Sequence, residues 1–223
     1  MPVLIGIPVH NDLESFQEMM KSLINSTSAY DKILIVESNS TDGTKEYCDL
    51  LPHESNKIKV IHANTKTPLE AYNIIFDYAI DNRYDLLVTQ TDVIFPRLHK
   101  RDWLKLMEMV SKHNKDAVVM PINGGGISGP DYIDGFEWVG GWCTYYPHSV
   151  LKKVGKFDDE FPNGYGVDID HSYRCSKVAN IIKMQYWVDH HMMNSREHDN
   201  DPNAEQAKQE SAKYFRKKWK LQS

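Results

Sequence analysis

An α/β fold with a mostly parallel central sheet is what this sequence predicts, and three observations carry the prediction. Short apolar runs alternate with helix-periodic segments through the first 120 residues. The alternation repeats in units of about 30 residues, the length of a strand–helix–strand unit. Asn11, Glu37 and Asp92 each follow a different apolar run, and open parallel sheets bind ligands outside the carboxyl ends of their strands.

Taken in order, residues 3–8 are an apolar run read as a strand, and Leu13, Phe16, Met20 and Leu23 then recur at helical spacing. Residues 32–36 (KILIV) form a second buried strand. Residues 41–51 read as a helix with Ser40 or Thr41 as its N-cap. Residues 58–62 are a third strand, and 68–80 a helix with Pro68 near its first turn. Residues 86–89 are a fourth strand; Trp103, Met107 and Val110 mark a helix face; residues 117–120 are a fifth strand.

The alternation stops after Met120. Residues 122–135 contain Gly124-Gly125-Gly126 and Gly129-Pro130 and read as a flexible loop. Residues 137–146 are aromatic and strand-like, 149–154 a short helix, 167–178 a longer helix, and 181–188 another strand. Residues 190–203 are polar and irregular, and 204–220 helical, ending on Tyr214-Phe215 and Lys217-Lys218-Trp219. With no linker, repeat or low-complexity stretch, the expectation is one domain over 1–223 with two halves, 1–120 and 121–223.

Composition narrows the function. The chain has 223 residues, 41% hydrophobic and 26% charged, ordinary values for a soluble domain with a sizeable core. A net charge of −5 lacks the basic excess of a nucleic-acid binder. No apolar run approaches the roughly 20 residues that span a bilayer. The start, Met1-Pro2-Val3-Leu4-Ile5, has no basic lead-in, so no signal peptide is expected. Cys48, Cys143 and Cys175 are scattered and give neither a disulfide framework nor a CxxC metal site, which points to a reducing, cytoplasmic setting.

Several side chains can carry chemistry, each beside a plainer reading. Glu37 can accept a hydrogen bond from a nucleobase or ribose, or it is solvated while Ser40 and Asp42 cap a helix. Asp92, after Thr89-Gln90-Thr91, holds a metal or caps a turn before Pro96. Asp168 and Asp170 sit where a helix begins, a position the helix dipole favours for acids. Arg174, four residues past Asp170, suits an intrahelical ion pair. His190 and His191 end the last strand, and neighbours in an extended chain point opposite ways, so one of the two at most reaches a given ligand.

The segments IGIPVHN, ILIVESNSTDGTKEYC and GKFDDEFPNGYGVDIDHSYR resemble the family-2 glycosyltransferases, which have the glycosyltransferase A fold. The family forms are P-V-Y-N, then V-D-N-x-S-x-D-G-T, an acidic D-x-D after the fourth strand, F-D-E-x-F…G-E-D-x-D-x-x-x-R, and a later histidine. The resemblance implies that residues 1–120 bind a nucleotide sugar and 121–223 carry the acceptor side and catalysis. It places the backbone of Pro8 and Val9 against the base, with Asn11 beside them and Glu37 at the base or ribose. Lys66 and Asn73 fall in a segment that borders the nucleotide, as do Gln90 and Thr91. Asp92 matches the acid that binds Mn²⁺ or Mg²⁺, with His190 or His191 as a further ligand. Asp168 matches the catalytic base, with Asp170 orienting on the acceptor side. Trp142, among glycines, would offer a ring face to an acceptor sugar, or it packs in the core.

Two positions depart from the family pattern. Gln90 replaces the first acid of D-x-D, and a neutral amide is a poorer ligand for a hard cation. Val167 replaces the acid before Asp168. The expected activity is an inverting transfer from a nucleotide-diphosphate sugar, a UDP-sugar foremost, to a hydroxyl of a glycan or similar acceptor. One alternative is a non-catalytic sugar-nucleotide binder, favoured by Gln90 and Val167. The other is a nucleotidyltransferase, which needs a glycine-rich phosphate loop where Val9-His10-Asn11-Asp12 stand. The lysines of residues 213–220 read as a solvated face or a weak membrane-surface contact.

Overall fold

The computed structural model describes residues 1–98, 101–123, 132–133, 136–161, 164, 166–190 and 204–221. The first half builds β1 (Val3–Val9), α1 (Leu13–Ser26), β2 (Lys32–Glu37), α2 (Thr44–Glu54), β3 (Ile58–His62), α3 (Pro68–Asp81) and β4 (Asp85–Thr89). Then come β5 (Val93–Ile94), α4 (Trp103–His113), β6 (Val118–Asn123), β7 (Tyr132–Ile133), β8 (Phe136–Glu137) and β9 (Cys143–Tyr146). The rest are α5 (His148–Val154), α6 (Val167–Ser176), β10 (Ile181–His190) and α7 (Ala204–Trp219).

Among the described residues the main sheet runs β3-β2-β1-β4-β9-β6-β10-β5. β1 pairs in parallel with both β2 and β4, so the strand order reverses beside it. That reversal opens a crevice at the carboxyl ends of β1 and β4. β9 enters antiparallel between β4 and β6, and β5 adds antiparallel to β10. β7 and β8 form a separate two-stranded ribbon.

Strand alternation loads both faces of the sheet. Ile5, Ile7, Ile33, Ile35 and Leu87 pack with α1 and α2 residues such as Phe16 and Cys48. Leu4, Leu34, Val36, Leu86 and Val88 pack with Ile75 and Phe76 of α3. Each such buried aliphatic contributes about 1.5–3 kcal/mol relative to exposure. Gly6 is needed at the α3 contact, because a Cβ there would lie 2.2 Å from Cγ2 of Ile75. The three cysteines are free and buried. Among the described residues no helix is long and apolar enough to cross a membrane.

The mostly parallel sheet is as expected, with differences. The second helix starts at Thr44, after Gly43 with φ +97°, so neither Ser40 nor Thr41 caps it. Asp42 instead accepts the Thr44 N–H at 3.0 Å and the Leu13 N–H at 3.0 Å. The aromatic stretch 137–146 is broken by a turn at Gly141-Trp142, because its two ends belong to different sheets. The expected glycine loop falls largely on residues outside those described, as does His191.

Candidate active site

The site begins with two loops stitched together past β1 and β2. Asn11 and Asn39 both take left-handed backbone, φ +46° and +53°, a conformation Asn tolerates better than most residues. Asn11 Oδ1 accepts the Thr41 N–H at 2.7 Å, and its own N–H donates to Ser40 Oγ at 3.0 Å. Thr91, buried at the end of β4, donates its hydroxyl to the Asp12 carboxylate. Asn11 and Thr91 thus brace the crevice floor, with half-buried Pro8 and buried Val9 beneath.

Glu37 is buried, not solvated. Its carboxylate accepts the Ser40 N–H at 2.6 Å and lies 2.8 Å from His62 Nδ1, while His62 Nε2 lies 2.9 Å from Asp49. Burial pushes the Glu37 carboxyl up, but hydrogen bonds from His62 and Ser40 outweigh it and hold it below the usual range. The hydrogen bond to Glu37 raises His62 in turn. Glu37 therefore orders this edge from within. The groups presented outward are His10, Asn39 and Asn64, with Asn39 Nδ2 donating to Asn64 Oδ1 at 2.8 Å. Sequence reasoning missed His62, although it ends β3 in the same way that Glu37 ends β2.

A cleft of 1210 Å³ opens from β4 toward the starts of α3 and α6, with α7 as a further wall. Lys66, Tyr72, Gln90, Gly141, Asp168 and Glu210 line it. Asp168, in the first turn of α6, accepts the Gly141 N–H at 3.3 Å. Gln90 donates its N–H to the Trp142 carbonyl at 2.9 Å and places Oε1 3.2 Å from His190 Nε2. His190 Nε2 is also 3.4 Å from Asp92 Oδ1. Burial first, then the carboxylates of Asp92 and Asp168, push the Tyr72 phenol up. The structure thus joins Asp92, His190 and Gln90 in one group, and Gln90 lines the same cleft as Asp168.

Besides Glu37, three expected site residues meet partners within the protein. Asn73 spends its amide on Phe157 and Asp159: Nδ2 donates to the Phe157 carbonyl at 3.1 Å and to Asp159 Oδ1 at 2.5 Å, and Oδ1 accepts the Phe157 N–H at 2.9 Å. It clamps α3 to the FDDEF segment rather than facing a nucleotide. Asp170 is fully buried and meets Arg174 Nε at 2.9 Å, Lys218 Nζ at 2.8 Å and Trp219 Nε1 at 2.8 Å, so it is not an acceptor contact. Trp142 stacks on His190, ring centres 4.9 Å apart and planes 13° apart, so that face is not open to a sugar.

The donor set suits a divalent cation that draws its other ligands from a phosphate-bearing substrate. Asp92 is 4% exposed, and among the described residues its Oδ1 makes no hydrogen bond, with His190 Nε2 at 3.4 Å, an arrangement that burial makes costly unless a positive group meets it. An imidazole nitrogen and an amide oxygen stand beside it. Among the described residues no group of three His, Cys, Asp or Glu is disposed around a metal position.

The profile of the family described as "Glycosyl transferase family 2" matches residues 4–161. Over 89 residues, 40% of this chain, the sequence is 34% identical to an undecaprenyl-phosphate mannosyltransferase of Micrococcus luteus, and it spans 36% of that protein's length. Among solved structures the chain is similar to the mannosyltransferase PcManGT from Pyrobaculum calidifontis in complex with GDP-Man and Mn²⁺. The TM-score is 0.67 at 15% identity, covering 88% of this chain and 59% of that one. It is also similar to S. aureus TarS 1-349 in complex with UDP-GlcNAc, with TM-score 0.62 at 16% identity, covering 84% of this chain and 58% of that one. At such identities the structural likeness establishes the fold, that of the glycosyltransferase A enzymes.

Proposed function

The chain belongs to glycosyl transferase family 2, and from that premise we propose that it transfers a sugar from a nucleotide-diphosphate donor to an acceptor hydroxyl, inverting the anomeric carbon. The observation that carries this reading is that Gln90, whose Oε1 lies 3.2 Å from His190 Nε2 beside Asp92, lines the same cleft as Asp168. The two functions that direct displacement needs, a base for the incoming alcohol and charge neutralisation for the departing diphosphate, then have candidate residues within one site.

Asp168 takes the acceptor proton. Its Oδ2 accepts the Gly141 N–H at 3.3 Å and its Oδ1 the Ile169 N–H at 3.0 Å, which orients the carboxylate. The acceptor oxygen bonds to the anomeric carbon from the face opposite the nucleotide, the bond to the diphosphate oxygen breaks, and the proton comes to rest on Asp168. Asp92 and His190, with the Gln90 amide oxygen, would hold Mn²⁺ or Mg²⁺, which when bound offsets charge gathering on the diphosphate. Lys66, exposed at the cleft, adds a cation near the phosphates. Pro8, Val9 and Asn11 support the base from the crevice floor, and residues 1–120 form the donor half. UDP-sugars are the first donors to test and GDP-sugars the second, since solved proteins of this fold hold one or the other.

The test is release of nucleoside diphosphate from a panel of nucleotide sugars with Mn²⁺, Mg²⁺ or EDTA, with product configuration read by NMR. Asp168→Asn should lower turnover about 10²- to 10⁴-fold, the contribution of a positioned base, while nucleotide still raises the melting temperature. Wild-type turnover in that variant would remove Asp168 from the mechanism.

A further inference from the structure

We propose that Trp142 is a positioning residue, its indole fixing the His190 ring so that Nε2 meets Asp92 and Gln90. The metal-binding consequence of this assignment rests on the function proposed above; the ring geometry does not.

The torsion that orients an imidazole is broad, so His190 needs a neighbour to select one ring plane. Trp142 is that neighbour, stacked at 4.9 Å with only 13° between the planes. The His190 side chain is 10% exposed, leaving it little room to turn. The indole is itself held: it packs against both core clusters, one on each face of the sheet. Gly140 also lies against it, since a Cβ there would stand 2.6 Å from Trp142 Cδ1 and 2.8 Å from Nε1. The backbone completes the arrangement, because the Trp142 carbonyl accepts the Gln90 N–H at 2.9 Å and the adjacent Gly141 N–H reaches Asp168 at 3.3 Å. One three-residue turn therefore sets the His190 ring, the Gln90 backbone and the Asp168 carboxylate together. Aromatic stacking of this kind biases a ring orientation by about two- to tenfold.

The experiment compares wild type with Trp142→Ala, Trp142→Phe and Gly140→Ala, each checked for a cooperative thermal transition. Histidine ring protons are read by long-range ¹H–¹⁵N NMR without metal, with His190 assigned by its loss in His190→Asn. Mn²⁺ affinity is read by electron paramagnetic resonance in the presence of UDP. The His190 ring protons should be shifted upfield by the indole in wild type, largely so in Trp142→Phe, and relaxed in Trp142→Ala. Gly140→Ala keeps the indole but displaces it, so the shift should shrink there too. Mn²⁺ should bind about two- to tenfold more weakly in Trp142→Ala, with recovery in Trp142→Phe. Unchanged His190 ring shifts in Trp142→Ala overturn the assignment, as does an unchanged Mn²⁺ affinity where wild type binds the ion. If wild type binds no Mn²⁺ while its ring shift still depends on Trp142, the metal reading falls and the positioning role stands.

Discussion

The strongest stability effect is expected at Asp170, where the structure sets several costs against one carboxylate. Asp170 is fully buried and meets Arg174 and Lys218 as well as the Trp219 indole N–H. Arg174 and Lys218 are themselves 18% and 26% exposed, so solvent screens the network little. Asp170→Asn keeps the shape and removes the charge. Breaking a buried pair by removing one partner costs about 3–5 kcal/mol, because the other charge is left without compensation. Here that figure is an upper bound. Arg174 keeps the Val154 and Lys156 carbonyls at 2.6 and 2.8 Å, and Lys218 keeps Asp158 at 2.7 Å. About 2–4 kcal/mol remains, which at about 2–4 °C per kcal/mol for a domain of this size lowers the melting temperature by about 5–15 °C. Differential scanning calorimetry at pH 7 reads it directly, with Asp158→Asn as the comparison, expected to be milder because Lys218 then retains Asp170. A fall under about 2 °C for Asp170→Asn would show that α7 is not held through this carboxylate.

Three further perturbations test other parts of the structure. Gly6→Ala should cost about 1–3 kcal/mol through the clash with Ile75, and the Gly6→Ala/Ile75→Ala double variant should show less loss than the two singles added, measured by urea denaturation. His62→Gln should narrow the pH range of stability. His62 is raised above 6.5, so its contribution is complete below that pH and fades as pH climbs through the raised value, while Glu37, lowered from 4.5, contributes above 4.5 and fades below. The gap between wild type and variant is therefore widest between about pH 4.5 and 6.5 in thermal melts across pH; a gap that widens above pH 8 contradicts the ion-pair assignment. Gln90→Asp restores a second acid beside Asp92, so it should lower the melting temperature in EDTA through like-charge repulsion and bind Mn²⁺ about tenfold or more tightly, by calorimetric titration with UDP present; equal Mn²⁺ affinity would place the cation away from residue 90.

What the sequence made legible follows from the range over which each signal acts. Strand alternation at Ile5, Ile7 and Ile33, Ile35 and helical spacing at Phe16 and Met20 are local, and both survive folding because each face of the sheet is buried. The strand-end rule is equally local, and it singled out Asn11, Glu37 and Asp92, which follow β1, β2 and β4. The losses occur where a local signal has a distant competitor. Asp170 reads as an acceptor-side acid paired with Arg174 until Lys218 and Trp219, some fifty positions later, also claim it. Asn73 reads as a polar group on a helix near a ligand until Phe157 takes both ends of its amide. Trp142 reads equally as a sugar-stacking or a core ring until His190 covers one face of it. In each case the side chain keeps the chemistry its type implies, a charge, an amide or an aromatic face, and tertiary structure decides only which partner receives it. The residues hardest to assign from sequence are therefore those whose partner comes from the last two elements. β10 and α7 supply those partners, so the stacking of His190 on Trp142 and the hold of Lys218 and Trp219 on Asp170 emerge only once the chain is folded.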